Sequence, residues 1–263
     1  MAQSPAKRHL TRVLAAQEAS KAANGALRAG GTVFEQHMML LQEHRLRLKQ
    51  IQSAEAKATY KAGALHEFSD YLDGVLKADA GGDDEVVTTV MLWAIDAGLY
   101  AAALGVAEYV LRHKLAMPDR FSRTTGCVIA EEIAEAALAA HATGKTFEAG
   151  VLGMALRMTA DQDMPDEVRA KLHLAMGRDV LRSCTDEAPA SIFELEECVA
   201  SLKRAIELHG SCGGKKDLER AERLLKKQTA AADTAAAKSD NPEGDAKADS
   251  ADAAKGASDN AGG

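Results

Sequence analysis

Gly144-Lys145-Thr146 ends like a Walker A loop, in which glycine backbone cradles phosphate at the end of a strand. The pattern also requires glycine at position 139, where Ala139 stands, and Val128 to Ala142 reads as helix rather than strand. That nucleotide chemistry is therefore rejected, and Gly144 reads as a helix C-cap. His37 and His44 lie seven residues apart on one helix face, but no third ligand has helical spacing beside them. Carboxylates group at Glu131-Glu132 and at Asp161, Asp163, Asp166 and Glu167. A Mg²⁺-dependent nuclease needs two or three converging carboxylates to hold its metals. The second group flanks Pro165 at a helix start, where capping already accounts for it. Cys127, Cys184, Cys198 and Cys212 form no CxxC pair, which excludes a disulfide scaffold and argues against a zinc module. No Ser/His/Asp or Cys/His constellation stands out. The residues assign no catalytic group, no metal ligand and no cofactor.

Charge is the stronger signal. The chain of 263 residues has a net charge of −7. Residues 1–61 carry ten Lys/Arg against four Asp/Glu, residues 62–228 are net −9, and residues 229–263 are net −4. A basic front on an acidic body predicts that the first sixty residues meet a polyanion, whereas two solvated helix faces are the plainer explanation. Lys7, Arg8 and Arg12 fall on a first helix, with positions 8 and 12 on one face. A phosphate contact there would be salt-sensitive and blind to base sequence. A helix-turn-helix variant is only weakly supported, because the connection that follows is long.

The elements that carry these residues are helical throughout. Aromatics are 4% of the chain, and Ala, Leu, Glu and Lys dominate, which favours helix. Ser4-Pro5 opens a helix to Ala23, closed by Asn24-Gly25. Thr32 and Glu35 have capping-box spacing and open a long second helix, Val33 to Ala62. Its apolar stripe is Phe34, Met38, Leu41, Leu48 and Ile51, with Arg45, Arg47, Lys49, Lys57 and Lys61 on other faces. So narrow a stripe needs a partner, either a neighbouring helix or another subunit. A third helix covers Ala64 to Lys77. Ala80-Gly81-Gly82 reads as a boundary, and Asp83, Asp84 and Glu85 read as a helix cap rather than a metal site. Antiparallel pairs follow: Glu85–Ala97 with Tyr100–Lys114, Val128–Ala142 with Phe147–Thr159, and Asp163–Arg182, Ile192–Leu208 and Lys216–Gln228. The small residues Ala101, Ala102, Gly105, Ala136, Ala137 and Ala140 are expected where helices approach closely. The array resembles helical hairpins without a regular repeat. Residues 86–107 are too polar at Asp96 to span a membrane, since a central Asp costs about 2.5–3.5 kcal/mol to insert. The start has no secretory signal, so a soluble cytoplasmic protein is expected. Residues 229–263 have no large apolar side chain and are expected to be disordered. The fold expected is all-α, with a basic N-terminal helical region (1–80), a helical-hairpin domain (81–228) and an acidic tail (229–263).

Four segments carry a family resemblance: Ser4-Pro5-Ala6-Lys7-Arg8-His9; Thr89-Val90-Met91-Leu92-Trp93 with Asp96 and Gly98; Met117-Pro118 with Arg123-Thr124; and Asp163-Met164-Pro165-Asp166-Glu167-Val168-Arg169-Ala170-Lys171-Leu172-His173. Over residues 4–228 the chain resembles the small terminase subunit of Peduovirus-type tailed phages. The resemblance implies a protein that binds double-stranded viral DNA at its packaging site, assembles into a homo-oligomeric ring and recruits the large ATPase subunit, in the cytoplasm of the infected bacterial host. Relatives tend to end in a basic tail, whereas this tail is acidic. The family is also labelled the endonuclease subunit of terminase, a reading under which Mg²⁺ would be required.

With that resemblance, the basic residues Lys7, Arg8, Arg12, Arg45, Arg47 and Lys49 become the expected DNA contact. Phe34, Met38, Leu41, Leu48 and Ile51 become the expected oligomer contact, as a closed ring needs a heterologous interface. A metal-dependent endonuclease and a helical scaffold unrelated to DNA are the competing functions.

Overall fold

A computed structural model describes residues 4–24, 32–118, 123–185 and 188–239, with side chains described to residue 234. Gly25, Gly30 and Gly31, expected in the first connection, and residues 240–263 of the expected tail lie outside them. The described residues are helical, without a strand. Helix α1 (Pro5–Ala23) begins on Ser4, whose side chain accepts from Lys7 N, with Pro5 in the first turn. Helix α2 (Val33–Gln50) carries the expected capping box between Thr32 and Glu35. Glu18 of α1 adds a second cap by accepting from Val33 N and Phe34 N at 2.9 and 3.0 Å. A carboxylate therefore ties α1 to the start of α2.

The long second helix is corrected. It stops at Gln50, and α3 (Ala54–Ala64) starts anew on Ser53. The Ser53 hydroxyl accepts from Ala56 N, offering the backbone a local alternative to continued helix. The third helix is likewise split into a 3-10 turn, Leu65–Phe68, and α4 (Ser69–Ala78).

Helix α5 (Glu85–Asp96) is capped by Asp84, which accepts from Val86 N and Val87 N at 3.0 and 3.1 Å and also from the Tyr71 hydroxyl. The Asp83–Glu85 group thus acts as a cap, as its position predicts. A turn with Gly98 at φ +75° leads to α6 (Tyr100–Arg112). Then come α7 (Thr125–Ala142), α8 (Val151–Met158), α9 (Asp166–Ser183) and α10 (Ile192–Leu208). Helix α8 starts four residues later than expected. Gly150 precedes it at φ +80°, and Phe147 N donates instead to Asp179 Oδ1. The last helix, α11 (Lys215–Ser239), overruns its expected end by eleven residues, into the first part of the expected tail. Ala230–Ala232 and Ala235–Ala237 explain the extension: alanine has the highest helix propensity, and adding turns to a nucleated helix avoids the nucleation cost.

The main core runs from Ala15 to Ala175 and takes residues from both sides of residue 80. Helix α1 packs on α4, α5 on α6, and α7 on α9. A smaller core joins Leu174 and Leu181 of α9, Cys198, Val199, Leu202 and Ala205 of α10, and Ala221 of α11. The expectation of close approach fails at three of its positions. Gly105, Ala101 and Ala102 are exposed, and nothing lies within 4 Å of a Cβ built on Gly105. The tight crossings are at Gly74, where a Cβ would stand 2.3 Å from the Arg12 carbonyl oxygen, and at Gly177, where it would stand 2.5 Å from Leu202. Among the described residues no helix is long and apolar enough to cross a membrane.

Candidate nucleic-acid interface

The expected N-terminal cations are mostly engaged by carboxylates. Arg8 Nε and Arg12 Nη1 donate to the two oxygens of Asp70 on α4, at 2.8 and 3.1 Å. Arg12 also lies 3.9 Å from Asp73. The hydrogen bond and charge of Asp70 raise the Arg8 pKa further. Arg45 reaches α5, donating to Glu85 at 2.6 Å and Thr89 at 3.0 Å. Arg47 pairs with Glu43 on its own helix. Lys7 and Lys49 are exposed and have no ion pair among the described residues. The six cations therefore do not act as one free surface. Arg8 and Arg12 hold α1 against α4, and Arg45 holds α2 against α5. Sequence shows the cations, but it does not show which carboxylates fold back onto them.

The expected oligomer stripe is packed inside the chain. Leu41 is fully buried and Leu48 nearly so, while Phe34, Met38 and Ile51 pack partly buried against the main core. The first of the two partners open to this stripe, neighbouring helices of the same chain, is the one seen. Met39 and Leu46 point outward on the other side of α2.

His37 and His44 do not form a ligand pair. His37 bonds the Val33 carbonyl at 2.7 Å and stacks on Tyr71, and His44 bonds the Tyr60 hydroxyl at 2.7 Å. Burial lowers the pKa of both. Glu131 pairs with Arg123 and with Lys171, the latter at 3.3 Å, and Lys171 also holds Glu135 at 2.7 Å. Glu132 is half-buried, and burial with repulsion from Asp96 and Glu135 raises its pKa. Among the described residues no three His, Cys, Asp or Glu side chains are grouped to hold a metal ion.

The cationic surface that averaging over sequence conceals lies at the other end of the chain. Lys216, Arg220, Arg223 and Lys227 of α11 are spaced by four, three and four, which puts them on one helix face. All four are exposed, and none has an ion pair among the described residues. The opposite side, Leu218, Ala221 and Leu225, is turned into the small core. Helix α9 adds Arg182, exposed, and Arg178, which donates to Asp217 at 2.8 Å and to the Gly213 carbonyl at 3.4 Å. Two adjoining grooves, each of about 490 Å³, share Arg220 and Cys184. Arg178, Arg182, Gly144 and Thr146 border the first, and Lys227 borders the second. The spacing of α11 was the available signal. It disappears when charge is averaged over a segment that is net −9.

Residues 38–167 match the phage small terminase subunit family. The chain is 42% identical over 223 residues to the terminase, endonuclease subunit, of Escherichia phage P2, covering 85% of this chain and 86% of that protein. No solved structure matches. By the identity and coverage of that relative, together with the family match, the chain belongs to the phage small terminase subunit family.

Proposed function

We propose that this subunit binds double-stranded viral DNA at the packaging site, assembles with copies of itself, and recruits the large ATPase subunit, in the cytoplasm of the infected host. The observation that carries the reading is how charges are spent. The carboxylates Glu131 and Glu135 are neutralised by Arg123 and Lys171, whereas the exposed cations Lys7, Lys49, Lys216, Arg220, Arg223 and Lys227 have no carboxylate partner among the described residues. A surface of that kind suits phosphate contacts, which gain affinity by releasing counterions. Cutting belongs in this reading to the assembled terminase, with the hydrolytic centre on the large subunit.

The P2 relative's name, an endonuclease subunit, supports a second reading in which this chain makes the cut with Mg²⁺. One experiment separates the two. Purified chain is incubated with Mg²⁺ and linear DNA carrying the packaging site, with and without the large subunit. The expected result is a mobility shift without shortening of the DNA, and co-sedimentation of the large subunit with the complex. Cleavage by this chain alone would overturn the division of labour, and absence of any DNA complex at about 50 mM salt, where phosphate contacts are strong, would overturn the DNA-binding reading.

A further inference from the structure

We infer that the DNA backbone lies along α11, on Lys216, Arg220, Arg223 and Lys227, with Arg182 of α9 on the flank, and not along the N-terminal helices. This assignment rests on the DNA-binding reading above and gives it a place. It falls outside residues 38–167, the part matched by the family.

Geometry is the first support. Eleven residues of α-helix advance about 16 Å, and one strand of duplex DNA presents a phosphate every ~3.4 Å along its axis. Four cations on one helix face can thus each find a phosphate on a single strand. Availability is the second support. At the front end Arg8, Arg12 and Arg45 would have to leave Asp70 and Glu85 before touching DNA. The four on α11 have no such carboxylate: Glu222 pairs with Lys203 at 3.1 Å, and Glu219, one helical turn from both Lys216 and Arg223, makes no ion pair with either among the described residues. Asp217, the acid on the groove wall, is already held by Arg178.

Chemistry of the patch is the third. Protein interfaces rely on large apolar or aromatic anchors at their centre. The large hydrophobics of α11 are turned toward α9 and α10, and among the described residues none of its side chains is an exposed large hydrophobic. A face made only of Lys and Arg at regular spacing fits a uniform polyanion better than a folded protein. Arg220 and Lys227 border the two grooves, so a backbone seated there would also pass Arg182.

The test compares the full chain with two variants, Lys216→Ala/Arg220→Ala/Arg223→Ala/Lys227→Ala and Lys7→Ala/Arg8→Ala/Arg12→Ala. All positions of the first are exposed and alanine favours helix, so its circular dichroism and Tm should stay close to those of the parent. Binding of a fluorescent duplex of about 30 bp is followed by anisotropy between roughly 50 and 300 mM KCl, the range over which counterion release is read. The slope of log K against log[salt] should flatten by about 3.6 in the α11 variant, at ~0.9 for each phosphate no longer neutralised. Affinity at about 100 mM should fall by roughly 10²–10³-fold, as each phosphate pairing contributes several-fold at that salt. An unchanged slope in the folded α11 variant overturns the assignment while leaving DNA binding intact. A slope flattened only in the N-terminal variant overturns it in the same way. If the α11 variant keeps DNA but no longer captures the large subunit, the face belongs to a protein partner and the assignment is again overturned. If the parent chain forms no DNA complex, the DNA-binding reading itself fails and takes the assignment with it.

Discussion

Gly74 and Gly105 are both helical glycines, yet alanine should act on them with opposite sign. A Cβ on Gly74 would stand 2.3 Å from the Arg12 carbonyl oxygen and 2.9 Å from Ala15 Cβ. The first obstacle is backbone, so relief requires α1 to move off α4 by about 1 Å, the shortfall from a normal carbon–oxygen contact. Overpacking of this kind costs about 1–3 kcal/mol after relaxation, which outweighs the gain of up to ~1 kcal/mol in helix propensity. The displacement would also pull Arg8 and Arg12 from Asp70, because both pairs bridge the same two helices. At Gly105 nothing lies within 4 Å of the added methyl, in the middle of α6. Gly105→Ala should stabilise by about 0.5–1 kcal/mol. For a chain of this size ~1 kcal/mol shifts Tm by roughly 2–4 °C. Scanning calorimetry should therefore show Gly105→Ala melting a few degrees higher and Gly74→Ala several degrees lower, with hydrogen exchange of Gly74→Ala accelerated first in α1. If Gly74→Ala melts as high as Gly105→Ala, the α1–α4 crossing is not so close and the opposed signs are refuted.

Three further outcomes are expected. Burial lowers the pKa of His37, His44 and His173, so the unfolded chain takes up their protons first; stability should be full above about pH 6.5 and decline as pH falls below it, seen as a falling Tm between about pH 7 and 5. Glu132 has the opposite sign: its raised pKa means the charged form is disfavoured in the fold, so Glu132→Gln should raise Tm at about pH 7, with the gain shrinking as pH falls through the raised pKa and gone below the ordinary glutamate value. Replacing Asp240, Glu243 and Asp245 by their amides removes three negative charges shortly after α11 and should tighten DNA binding several-fold at about 50 mM salt, with less effect at about 300 mM, measured by the same anisotropy titration.

Local chemistry was readable from the sequence. Ser4, Thr32 and Asp84 cap the helices that follow them, and Gly98 turns α5 into α6, because a cap or a positive φ is decided by a few adjacent residues. Breaks set by weaker competition were missed, as at Ile51–Ser53, where an apolar stripe continues in register across a helix end. The candidate site was legible only in part. Lys7 to Lys49 give a basic total, but Asp70 and Glu85 lie 58 to 62 and 40 residues away from the arginines they hold, and such pairings follow from tertiary packing. Conversely, the free face of α11 was visible as spacing and hidden in a segment average. The stripe on α2 shows the same limit: amphipathic periodicity demands a partner and does not say whether the partner is in the same chain.

Helix α9 supplies Val168, Leu172 and Ala175 to the large core and Leu174 and Leu181 to the small one. It is the shared beam between the body and the C-terminal pair. Force applied to α11 would reach the body mainly through that rod, with Leu138 of α7 as a second contact and Gly177 seated against Leu202 as the tightest joint. The mechanical compliance of the subunit is therefore set at the α9–α10 crossing, far along the chain from the front end with its excess of positive charge.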